Sequence, residues 1–147
     1  MNVLECFCWA VLNFEGFRPG SKSWRNRNPG NLRPIQRAGH PVQPAKDGYR
    51  FFASFSEGWD ALLSDVGAKF RGKPYTTSGL GPDSTLLQFF EKYAPSADSN
   101  HPETYAKFVA DFLTKGLQRP ISLETTLREI QSGTIESSVT IDHFGDS

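Results

Sequence analysis

An apolar run, VLECFCWAVLNF, stops at Glu15-Gly16, and the basic, turn-rich stretch beyond it cannot continue it. Val3, Phe7, Ala10, Val11 and Phe14 fall at i, i+4, i+7, i+8 and i+11, the spacing of one helical face. Leu4, Cys8 and Leu12 widen that face, so the helix is expected to be buried nearly all round. Gly16 suits the left-handed position just past a helix end, and Pro19 prevents its continuation. The rest of the chain must therefore fold around this helix, leaving Glu15 at its exit.

Residues 17–48 carry five of the ten prolines, several glycines and asparagines, and no helical period. An irregular stretch of this length in a small domain is usually functional or folds into a small sheet. Short strands are expected near 32–36 and 48–53, with Asp47-Gly48 as a turn and Tyr49, Arg50, Phe51 and Phe52 suited to a pleat. Charge is segregated here as well. Arg18, Lys22, Arg25, Arg27, Arg33, Arg37 and Lys46 follow one another with no Asp or Glu among them, although the whole chain has zero formal net charge.

After this stretch the helical period returns. Ser54-Phe-Ser-Glu57 reads as a capping box, with Ser54 as N-cap, for a helix carrying Trp59, Leu62, Leu63, Val66 and Phe70. Thr85-x-x-Gln88 can cap a third helix with Leu86, Phe89, Phe90 and Tyr93, stopped by Pro95. Pro102 starts a fourth, burying Tyr105, Phe108, Val109, Phe112 and Leu113 and ending at Gly116. Ser122 opens a short fifth with Leu123, Leu127 and Ile130. No repeat is read. The expectation is one α+β domain over 1–133, mostly helical, with a polar tail at 134–147 that has no assigned place. At 147 residues and 37% hydrophobic content, the chain is long enough for a real core.

Cys6 and Cys8 point in different directions on a helix and have no His or Cys partner at ligand spacing, so both read as reduced core thiols. No metal or cofactor is expected. His40, His101 and His143 are scattered, with no triad context. The N-terminal run is too short to span a membrane and lacks a basic flank, so no signal peptide and no membrane insertion are expected. The chain reads as a monomer, cytoplasmic as synthesised.

Glu15 lies between Phe14 and Phe17 at a helix end, where a carboxyl group can stay protonated near neutral pH. A general acid that breaks a glycosidic bond needs that property. The bland alternative is a surface glutamate placed poorly for the helix dipole. Likewise Asn28, Gly30 and Asn31 suit a plain turn, Ser54 a helix cap, Asp47 a turn, and Tyr93 and Tyr105 the core. Trp24 among the arginines suits stacking on a sugar face or on a base. Carbohydrate is favoured over nucleic acid, because the acidic remainder of the chain cancels long-range attraction to DNA.

The ordered set helix–Glu15–RNRNPGNLR–GYRFFASFSEGWDALLSDV–LLQFFEKYAPSADSNHPETYAKFVADFL resembles the lysozyme-like superfamily. It is most similar to phage and prophage lysozyme or lytic transglycosylase-type proteins with an Asn-Pro-Gly-Asn motif, and it parallels flagellar-type β-N-acetylglucosaminidases. The resemblance spans about residues 3–116. It implies a helical lobe with a small β-hairpin lobe and cleavage of peptidoglycan glycan strands. Glu15 would be the catalytic acid, and Trp24, Asn28, Gly30, Asn31, Arg33, Ser54 and Tyr93 would lie on the substrate side. Residues 16–46 hold no second carboxylate, so Asp47 is the candidate unless Glu15 acts alone. With Glu15 alone, either a 1,6-anhydro product or assistance from the substrate N-acetyl group is open. The resemblance further implies delivery to the wall by holin-type release or within a virion. Two other readings are a non-catalytic virion or wall-binding protein of the same fold, and a nucleic-acid module using residues 18–37.

Overall fold

The computed structural model describes residues 2–35, 38–93 and 101–132, in the order α1 (Val3–Phe14), α2 (Lys22–Arg25), β1 (Ala45–Lys46), β2 (Tyr49–Arg50), α3 (Phe55–Arg71), α4 (Leu86–Tyr93), α5 (Pro102–Leu117) and α6 (Leu127–Ser132). It is mostly helical with one two-stranded antiparallel sheet.

α1 starts with a complete capping box between Asn2 and Glu5 and runs through the centre of the core. α5 packs on α1 and α4, and α3 packs on α1. The rings interlock where these helices meet. Phe7 of α1 lies 5.1 Å from both Phe70 of α3 and Phe89 of α4, edge-on to each. Such pairs add about 0.5–1.5 kcal/mol beyond the area they bury. Both cysteines are free and buried, and burial pushes the Cys6 thiol up to about 11, with Cys8 raised as well.

The described residues of 17–53 form an arm laid against this helical body. Its sheet is a hairpin in which Lys46 pairs with Tyr49 and Ala45 with Arg50. Asp47 and Gly48 both have positive φ, 56° and 84°, as a two-residue primed turn requires. The strand expected near 32–36 does not form over its described part. Leu32 contributes only a carbonyl to Arg50 N–H, and β2 pairs with 45–46 instead, because the tight turn fixes its partner. α2 is not foreshadowed by the sequence pattern: four residues are too few to carry a period, and Ser21 caps them.

Ser54 is the N-cap of α3, as expected, while its capping box and two other boundaries differ from expectation. The Ser54 cap accepts Glu57 N–H, and α3 starts from that bond; among the described residues it has no return bond like the one in α1. α5 continues past the buried Gly116, because Gln118 takes the left-handed turn at φ 55°. α6 starts at Leu127 rather than Ser122. Ser122 is tied into a turn with Thr125, and Thr126 with Glu129 makes the capping box. Pro95 and the 134–147 tail lie outside the described residues.

A short pseudo-two-fold joins α4 and α6. Leu86 N–H donates to Thr125 O and Leu87 N–H to Leu123 O, while Leu127 N–H donates to Ser84 O and Arg128 N–H to Pro82 O. Thr85 and Thr126 form the bridge between the two, and each caps its own helix through Gln88 and Glu129. Each helix start thus supplies the carbonyls that the other's first free N–H groups need. No described helix is long and apolar enough to cross a membrane.

Candidate functional site

Glu15 is the C-cap of α1, where the chain turns. Gly16 N–H donates to Asn13 O and Phe17 N–H to Leu12 O, with Gly16 at φ 68°. This Schellman closure sends the chain away at a fixed angle and leaves the Glu15 side chain beside the arm.

Both carboxyl oxygens of Glu15 accept hydrogen bonds from neutral groups. Asn31 Nδ2 donates to Oε1 at 2.8 Å, and the Tyr105 hydroxyl donates to Oε2 at 2.7 Å. Tyr105 is fully buried, its ring stacked between Phe14 at 3.8 Å and Phe90 at 4.3 Å, so its hydroxyl is held in place. Burial raises the Glu15 carboxyl above the ordinary glutamate value, against the opposing pull of Tyr105, Asn31 and the Lys22 charge. The carbonyl end of the α1 dipole works in the same direction as burial.

The asparagine loop is positioned by close packing on α3 and α4. Gly58 of α3 gives it a seat, since a Cβ there would come within 2.0 Å of Arg27 O. Gly30 fits between Leu62 and Tyr93, where a Cβ would meet Leu62 Cδ1 and Tyr93 Oη at 2.5 Å each. The Tyr93 hydroxyl donates to Gly30 O at 2.8 Å. Asn28 is fully buried and commits its whole side chain to backbone. Its Oδ1 accepts Leu32 N–H, and its Nδ2 donates to Leu32 O and Arg50 O. It holds the loop to the hairpin rather than facing a ligand.

The residues singled out in the sequence therefore fall into three groups. Glu15 and Asn31 are in direct contact. Gly30, Tyr93 and Asn28 form the scaffold that places Asn31. The others stand apart from Glu15's hydrogen bonds: Ser54 caps α3, Asp47 is exposed in the hairpin turn, and Trp24 is 45% exposed on α2. Arg33 donates to the Tyr49 hydroxyl at 3.2 Å and covers that ring, with Lys22 Nζ also 4.2 Å from its centroid. The charge acting on Glu15 comes from Lys22, not from Asp47.

Sequence pattern assigns Tyr105 to the core and gives Lys22 no separate role. Tyr105 lies on a helix face that looks wholly apolar, and its partner is 90 residues away, so no local signal marks it. Asp65 is equally unmarked. It pairs with Lys69, whose ammonium lies 5.2 Å from the Tyr93 ring centroid, and both line a groove of about 590 Å³ with Arg50, Tyr75, Thr76 and Ser78. Among the described residues no group of three His, Cys, Asp or Glu side chains could hold a metal ion. No family model, curated protein or solved structure matches this chain.

Proposed function

We propose that the protein cleaves the glycan strand of bacterial peptidoglycan, as a muramidase or lytic transglycosylase, with Glu15 as the single general acid and base on a lysozyme-like fold. The observation that carries this reading is the Glu15 carboxyl: raised by burial, held at both oxygens by neutral donors, and fixed at a helix end beside a polar arm. The ordered motifs of residues 3–116, Glu15 among them, resemble the lysozyme-like superfamily and agree with this reading.

In this scheme the Glu15 proton passes to the glycosidic oxygen as the C1–O bond breaks, and the leaving sugar departs with that proton. The Glu15 carboxylate then takes a proton from the muramyl C6 hydroxyl as that oxygen closes on C1, giving a 1,6-anhydro end. In the alternative route the N-acetyl oxygen closes on C1, and water, deprotonated by Glu15, opens the ring to a reducing end. Both restore the acid form and need no second carboxylate. The exposed Trp24 ring suits a sugar face, and the Lys22 and Arg33 cations around Tyr49 suit the carboxylates of stem peptides.

The test is mass analysis of soluble products from purified peptidoglycan, wild type beside Glu15→Gln. Loss of the acid should cut the rate by about 10²–10⁴-fold. Anhydro ends from wild type alone indicate the transglycosylase route, and hydrated reducing ends the hydrolytic one. Equal cleavage by both proteins removes Glu15 from the chemistry. Silence from both, with the protein shown folded, leaves the non-catalytic wall-binding reading.

A further inference from the structure

We infer that the acid form of Glu15 carries its proton on Oε1 and that the Asn31 side-chain amide inverts to accept it, making Asn31 a positioning residue for both protonation states. This rests on the reading of Glu15 as the acid and base. The two oxygens are not equivalent. Oε2 faces the Tyr105 hydroxyl, whose ring is clamped by Phe14 and Phe90, and Glu15 is that hydroxyl's hydrogen-bond partner among the described residues. While the hydroxyl donates to Oε2, that oxygen is the carbonyl-type one, and the proton belongs on Oε1.

Oε1 faces Asn31 Nδ2. A donor there suits the carboxylate, whereas the acid needs an acceptor. The amide's oxygen and nitrogen ends are nearly the same size, and the terminal torsion is broad and close to two-fold, so turning it over exchanges donor for acceptor within the same volume. What decides whether an amide can turn is what holds its other end. Asn31 Oδ1 is buried and has no hydrogen-bond partner among the described residues, so inversion breaks no bond except the one it remakes to Glu15. Three positions earlier, Asn28 has the same side chain tied by three bonds at both ends, and cannot turn. The backbone of Asn31 is already in the left-handed region at φ 49°, which asparagine and glycine tolerate best.

During turnover the amide would present Oδ1 while Glu15 is an acid and Nδ2 once the proton has left Oε1. The titratable and charged groups facing the carboxyl are Lys22 from α2, Tyr93 from α4 and Tyr105 from α5; Asp65 of α3 acts on Tyr93. None of these replaces an acceptor at Oε1.

The experiment is an NMR titration of the full chain, following the Glu15 side-chain carbon and the Asn31 side-chain amide together. The expected result is that the Asn31 NH₂ signals move with the same midpoint as Glu15, and that in Glu15→Gln they stay in the acid-like position at every pH. Asn31 signals that stay flat through the Glu15 titration would overturn the inference. A second reading of the same experiment uses Tyr105→Phe and Asn31→Gly. Tyr105 donates to Oε2 in both forms but more strongly to the charged carboxylate, so its loss raises the Glu15 midpoint. Asn31 serves both forms, so its loss leaves the midpoint near wild type; a rise as large as that in Tyr105→Phe would mean a fixed donor and sink the proposal. These readouts use no turnover. Failed cleavage with a responsive amide sinks the functional reading alone, and active cleavage with a static amide sinks the inference alone.

Discussion

Around Phe7, three helices meet through edge-on rings about 5 Å apart, and nothing polar is needed to hold them. Around Asn28, the inside of the arm is built from amides. Ser23, Asn26 and Asn28, the buried polar residues of the described chain, all lie in the arm, and its buried apolar side chains are Pro29, Leu32 and Phe52. Asn26 O accepts Phe52 N–H, and Asn28 bonds Leu32 and Arg50. The helical body is held by apolar area, which is strong and tolerant of geometry. The arm is held by directional bonds and by two glycine seats, which are weaker but set positions closely. The body fixes the Glu15 carboxyl at the end of α1, and the arm brings the Asn31 amide to it at 2.8 Å, so the candidate site joins the two kinds of structure.

Removing apolar area from the body should have the largest effect on stability. Phe89→Ala takes a fully buried ring from contact with Phe7, Phe70 and Phe90 and should cost about 3–5 kcal/mol in chemical unfolding. If it costs under about 1 kcal/mol, the ring cluster is not what holds the body together.

An intermediate effect is expected where the two regions touch. Gly58→Ala puts a methyl where Arg27 O now sits, and the better helix propensity of alanine offsets only part of the strain. Stability should fall by about 1–3 kcal/mol. Cleavage should fall by about 10²-fold, because Asn31 moves with the loop while α1 stays in place. Activity lost in proportion to stability alone would mean that the arm has no positioning role.

The smallest expected effect has the opposite sign. A carboxyl whose folded value is raised holds its proton better in the folded state, so its ionisation costs stability as pH climbs from the ordinary glutamate value, 4.5, through the raised one. Below that window the penalty is absent; above it the penalty is complete. Glu15→Gln should therefore melt above wild type at about pH 7–8, with the gap closing toward about pH 4. A gap that widens on acidification would contradict the burial account of Glu15.

The same contrast explains what the sequence could and could not disclose. α1, α3, α4 and α5 were legible because apolar side chains at helical spacing announce their own burial, and Ser54, Thr85 and Pro102 announce starts. Glu15 was legible as a break in that pattern. α2 and β1 were not: Lys22–Arg25 and Ala45–Lys46 are too short for any period and expose most of their side chains. Asn28 and Asn31 look alike in the sequence, and only the loop's path gives one three backbone partners and the other a carboxylate. Tyr105 was hidden for the opposite reason, since its ring belongs to the core and only its oxygen belongs to the site.

The reciprocal start of α4 and α6 ties an early part of the chain to a late one. On the ribosome, Glu15, Asn31, Tyr93 and Tyr105 all emerge before Leu123–Arg128, yet the first two N–H groups of α4 find their carbonyls only when those residues arrive. α4 carries the tyrosine that grips Gly30. The carbonyls that complete the first turn of α4 thus come from a segment synthesised after every residue of the candidate site, and α6 follows the other five described helices in the chain.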